Sequence, residues 1–151
     1  MEKETVFIYS LPEDSSGFLL WQVSNLRHKL INVELQKLDL TYVQFIIMSS
    51  LLWLNQRNGN INQITLVKFA KLDKSMTSSV LKTLIEKQLI GRVEDKIDTR
   101  AKLIYVTENG KQKLKEALKI AYDFDLKFFG FKQTKSSDFN QQLMKIIDMN
   151  S

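Results

Sequence analysis

The chain has 151 residues and a mass of 17.6 kDa, the size of one globular domain, and its 44% hydrophobic and 26% charged residues supply enough apolar material for a core. It has no cysteine, one histidine, one proline and five glycines; this excludes a disulfide scaffold, a thiolate metal site and a thiol switch, and favours long helices. The net charge of +5 is unevenly placed: residues 1–60 carry five Lys/Arg against six Asp/Glu, residues 61–120 thirteen against seven, and residues 121–151 four against four.

Along the chain, Met1–Pro12 reads as an extended arm, and Asp14-Ser15-Ser16 offers a helix N-cap. Phe18, Leu19, Trp21, Val23, Leu26, Leu30, Ile31, Val33, Leu35 and Leu38 then recur at helical spacing over more than one face. Thr41 followed by Gln44 fits a capping box and opens a second helix through Trp53. Arg57-Asn58-Gly59-Asn60 has turn chemistry. A short helix is expected over about Asn62–Leu72, and Asp73 caps another over Lys74–Lys87 with Thr77, Val80, Leu81 and Leu84 as its apolar stripe.

Leu89–Val93 and Lys102–Val106 read as two strands of a β-hairpin with the polar tip Glu94–Arg100. Thr107 caps a long helix carrying Leu114, Leu118, Tyr122 and Leu126 as far as Phe129, and Phe139, Leu143, Ile146 and Ile147 mark a last amphipathic one. The fold class expected is mainly α with a small β-hairpin wing, in a single domain over residues 1–151.

Three features coincide in the basic third. Two short helices meet at the turn around Leu72-Asp73-Lys74, as in a helix-turn-helix. The second of them sets Ser75, Ser78, Ser79 and Lys82 at i, i+3, i+4 and i+7 on the face opposite its apolar stripe. Small hydroxyls let a helix backbone approach the floor of the major groove, and Lys82 reaches a phosphate or a guanine. The hairpin that follows carries Lys96, Arg100 and Lys102 around its tip, a basic finger suited to the minor groove. The order helix, turn, polar helix, basic hairpin is that of a winged helix-turn-helix.

These segments resemble a known family. Leu40–Leu51, Leu66 to Ile90 with Arg92, and the run Asp95-Lys-Ile-Asp98-Thr-Arg100-Ala-Lys102 through Thr107-Glu-Asn-Gly110 look like the MarR family of bacterial transcription regulators, over about residues 16–148. The resemblance implies a dimer, with residues 14–39 and 108–150 as dimerisation helices and 40–107 as the winged DNA-binding lobe. It places Lys74, Ser75, Ser78, Ser79 and Lys82 on the recognition helix and Arg100 in the minor groove, oriented by Asp98 or Asp95 through a bidentate pair. It also implies an effector cleft between the two regions, for which Trp21, Tyr42, Phe45, Trp53, Phe124 and Phe128 are candidates. Gln88 stands where the family has a glycine, which predicts a different end to the recognition helix. Lys96 replaces a family Arg, and Ser79 and Lys82 replace Arg and Asp.

Independently of that resemblance, the first helix and the aromatic C-terminal part (Phe124, Phe128, Phe129, Phe131, Phe139) hold more apolar surface than one small winged domain buries, which implies a second copy. The expected function is a homodimeric, sequence-specific DNA-binding regulator, a repressor on a pseudo-palindromic operator with a small aromatic effector. The alternative is a winged-helix adaptor for another protein; such a partner needs neither the basic third nor Arg100. No acid–base pair, activated nucleophile, phosphate loop or ligand cluster is found, so no enzyme activity, cofactor or metal is expected. His28, between Arg27 and Lys29, reads as a surface or interface residue. The longest apolar stretch, Phe45–Leu54, is about half a membrane span. The opening Met-Glu-Lys-Glu lacks signal-peptide character, so the expected compartment is the cytoplasm with no membrane partner.

Overall fold

Single side chains set the starts of the first five α-helices among the described residues. In the computed structural model, which describes residues 6–151, Ser15 accepts from the Phe18 amide at 3.2 Å and opens α1 (Ser16–Gln36). The first five residues of the expected N-terminal arm lie outside the described residues; a short 3-10 turn, Pro12–Asp14, precedes α1. Thr41 and Gln44 form the expected capping box at 3.1 and 3.0 Å and start α2 (Tyr42–Asn58). That helix runs five residues past the expected end, because nothing before Gly59, at φ 69°, interrupts it.

Asn62 caps α3 (Gln63–Ala70), Asp73 caps α4 (Lys74–Glu86) through the Met76 amide at 2.7 Å, and Thr107 caps α5 (Glu108–Phe129) through Gly110. A loop leads from α5 to α6 (Asp138–Met149). Between α2 and α3 lies a strand absent from the sequence reading, β1 (Ile61–Asn62), and the wing consists of β2 (Ile90–Glu94) and β3 (Lys102–Val106). The antiparallel order is β1-β3-β2, with Ile61 opposite Ile104 and Ile90 opposite Val106. The Asn55 side chain of α2 ties into this sheet, bonding the Ile104 carbonyl at 3.2 Å and the Val106 amide at 3.1 Å.

The core gathers Ile31 and Leu35 of α1, Ile47, Met48 and Leu51 of α2, Leu66, Leu81 and Leu84 of the helix-turn-helix, Ile104 of β3 and Leu114 of α5, all essentially inaccessible. Only the last two turns of α1 reach this core. Upstream, Phe18, Leu20, Trp21, Leu26 and Leu30 are exposed, as are Phe139, Ile146 and Ile147 of α6. The architecture is a mainly α winged helix-turn-helix fold.

The end of α4 corrects the expectation drawn from Gln88. The helix terminates in the usual left-handed manner, with Gln88 itself at φ 61°. The Leu89 amide reaches back to the Leu84 carbonyl at 3.0 Å, and Thr107 Oγ donates to the Gln88 carbonyl at 2.7 Å. One local helix-end bond and one tertiary bond, from Thr107, hold a conformation that the residue's own preference disfavours. Glycine is required instead at Gly110, where a Cβ would collide with the Leu89 carbonyl oxygen and Val106 Cγ1.

Candidate nucleic-acid interface

The amphipathic sequence of α4 decides which of its faces is free. Thr77, Leu81 and Leu84 are fully buried, while Lys74, Ser75, Ser78, Ser79 and Lys82 are exposed. Ser78 is already engaged: its hydroxyl donates to the Lys74 carbonyl at 3.1 Å and accepts from Gln63 Nε2 at 2.6 Å. Gln63 thereby joins the polar face from the first turn of α3. The sequence reading missed it, because a glutamine beside a cap carries no periodic signal.

At the wing, Asp95 and Asp98 act on the backbone. Asp95 Oδ1 accepts from the Ile97 amide at 2.9 Å, and Asp98 Oδ1 from the Arg100 amide at 3.1 Å. The expected bidentate pair with Arg100 is not formed: its one carboxylate contact is Nε to Asp98 Oδ1 at 3.7 Å, and its side chain is 96% exposed. The carboxylates build the turn and leave the guanidinium free. Lys96 is exposed, whereas Lys102 lies in β3 and pairs with Glu94 at 3.0 Å.

The candidate effector residues divide. Tyr42 stacks on Phe45 with ring centres 6.4 Å apart, and Phe124 on Phe128 at 5.5 Å. Between these pairs lies Arg27 of α1, over the rings of Tyr42 and Phe124 at 5.2 and 5.9 Å. Its guanidinium donates to the Tyr42 hydroxyl at 2.6 Å and to both oxygens of Asp125 at 2.8–3.0 Å. Burial alone would depress the Arg27 pKa, yet Tyr42 and Asp125 together hold it above the usual value. Phe45 is buried in the core. Trp53 does not join the group: it sits three turns further along α2, exposed, with the Arg57 guanidinium 3.1 Å above its ring. Trp21 is exposed on the upstream half of α1. His28 packs edge-on against Tyr42 at 5.2 Å.

Among the described residues no helix is long and apolar enough to cross a membrane, and no three His, Cys, Asp or Glu side chains are grouped to hold a metal ion.

The winged-helix family described as ArnR1-like matches residues 24–124. An uncharacterized HTH-type transcriptional regulator of Bacillus subtilis, YdcH, is 32% identical over 139 residues, covering 91% of this chain and 95% of that protein. Among solved structures, a MarR variant from E. coli complexed with operator DNA superposes with a TM-score of 0.73 at 21% identity, covering 87% of this chain and 91% of that one. CouR from Rhodococcus jostii, bound to p-coumaroyl-CoA, gives 0.78 at 21% identity, covering 95% and 98%. The chain belongs to the ArnR1-like winged-helix family of HTH-type transcriptional regulators, and its fold is that of the MarR structures. As an HTH-type protein it is a regulator of transcription and not an enzyme. The matched span begins in α1 and ends in α5, so it takes in the whole exposed face of α4 and the whole MarR-type wing.

Proposed function

We propose that this chain acts as a homodimeric repressor that binds a pseudo-palindromic operator. The observation that carries the reading is the exposed face of α4, in which small hydroxyls and Lys82 leave the backbone open to close approach, followed by a wing that holds Arg100 wholly in solvent. The likeness to MarR in complex with operator DNA supports it. In this reading Lys74, Ser75, Ser78, Ser79 and Lys82 enter the major groove. Arg100, with Lys96 and Lys102, enters the adjacent minor groove, and Asp95 and Asp98 set the turn that presents them. Residues 40–107 form the DNA-binding lobe of a single domain spanning 1–151. The segments 14–39 and 108–150 pair with a second copy, which covers the apolar faces that α1 and α6 expose.

A small aromatic effector is part of the proposal. Tyr42 and Phe124 beneath Arg27, with their stacking partners Phe45 and Phe128, join α1, α2 and α5, and the CouR structure holds an aromatic acyl-CoA. A ligand that favours one arrangement of these helices shifts the half-site spacing, and a coupling of about 1–3 kcal/mol releases the operator 5–150-fold.

The test is selection of the purified protein on a random duplex library at physiological salt. Enrichment of a two-fold sequence with half-site centres about ten base pairs apart is the expected result. Salt-sensitive retention without enrichment would overturn it.

A further inference from the structure

Neither the core nor the charge accounts for the residue at the wing tip. Ile97 is 97% exposed, the most exposed large apolar side chain among the described residues, and it sits between Lys96 and Asp98. A β-branched residue has no conformational advantage in a turn. Nor is the tip loosely built. Asp95 Oδ1 holds the Ile97 amide and Asp98 Oδ1 the Arg100 amide, while the Asp95 amide bonds the Ala101 carbonyl at 3.1 Å and the Ala101 amide the Asp98 carbonyl at 2.9 Å. Four bonds clamp a loop that presents one apolar group and one guanidinium.

That pairing fits the minor groove chemically. Its walls are the apolar faces of deoxyribose, its floor carries the negative potential that attracts arginine, and apolar wedges are a recurrent means of engaging it. A·T and T·A pairs present only acceptors on the floor; G·C adds the guanine N2 amino donor. An isoleucine laid over that amino group removes its water and offers no acceptor, which leaves a buried donor unpaired.

We propose that Ile97 is a specificity-determining residue, seating in the minor groove beside Arg100 and making the wing select A·T over G·C pairs beneath it. The inference rests on the DNA-binding reading above and adds to it which base pairs the wing accepts. The test uses the selected operator with A·T, G·C or inosine·C at the pair that the wing protects in a hydroxyl-radical footprint. Inosine·C keeps the G·C major-groove acceptors but lacks the N2 amino group.

The wild type is expected to bind the A·T and inosine·C duplexes alike and the G·C duplex about tenfold more weakly. Ile97→Asn, whose amide oxygen accepts from N2, should flatten the preference, and Ile97→Val should keep it. Both should retain the wild-type melting curve and salt slope, since neither removes a charge or a packed contact. Ile97→Asn with the wild-type A·T to G·C ratio, or a wild type indifferent to the pair, overturns the proposal while operator binding stands. Failure of the wild type to bind any duplex specifically overturns the DNA-binding reading, and this inference with it.

Discussion

Arg27 and Asp125, 98 positions apart, are joined by a two-pronged ion pair with Nη2 to Oδ1 at 2.8 Å, and the remaining Arg27 nitrogen, Nη1, donates to Tyr42. One guanidinium thus fastens α1 to α2 and α5 at the edge of the core. The pair is largely shielded, at 18% and 25% side-chain exposure, so removing one partner strands the other in a poorly hydrated site. Arg27→Met is expected to destabilise the protein by about 1–3 kcal/mol. Arg27→Lys should recover only part of this, because an ammonium cannot reproduce the fork. Urea melts at one fixed protein concentration, completed by a cycle with Asp125→Asn, measure the coupling; additive single effects would show that the two residues act separately.

Arg100 has the opposite setting, with no role in packing. Arg100→Ala should leave the melting curve unchanged and weaken operator binding about tenfold to a hundredfold, with the salt slope falling by about one. Titrations at several salt concentrations check both. Full affinity in this variant would place the wing outside the complex.

Ser78 faces outward from α4 and is braced by Gln63. Ser78→Glu sets a carboxylate where phosphates approach and is expected to abolish operator binding, whereas Gln63→Ala, which only removes the brace, should weaken it severalfold. Gel-shift titrations with a circular dichroism control separate the two outcomes. Tight binding by Ser78→Glu would move the recognition face elsewhere on the lobe.

The first turn of α5 packs against the start of the wing with no room for a methyl group at Gly110. Gly110→Ala is expected to cost about 1–3 kcal/mol through overpacking. At Gln88 the cost is torsional. Gln88→Val should lose about 1–2 kcal/mol, while Gln88→Gly should match or exceed the wild type. Thermal melts of the three variants give the ranking, and a valine variant as stable as the wild type would contradict the left-handed cap.

The caps at Ser15, Thr41, Asp73 and Thr107 were legible in the sequence because the chemistry of a cap is complete within four residues. The polar face of α4 was legible because helical periodicity spaces it. What escaped was settled by partners distant in the chain. β1 has two residues and exists only by pairing with β3. Gln88 adopts a glycine-like conformation with its carbonyl held by Thr107, 19 positions away. Arg27, adjacent to the lone histidine and unremarkable by position, acquires its place from Tyr42 and Asp125, 15 and 98 positions away. The wing carboxylates misled for another reason: an aspartate two residues before an amide satisfies that amide more readily than it reaches a solvent-exposed guanidinium.

Asn55 has a mechanical consequence. By grasping a carbonyl and an amide of β3, it ties α2 directly to the wing. A change in the tilt of α2 would then be passed to the strands through these two bonds. With Tyr42 at the start of α2 and Arg100 at the tip of the wing, a small rotation where Arg27 grips would become a larger displacement at the fingertip.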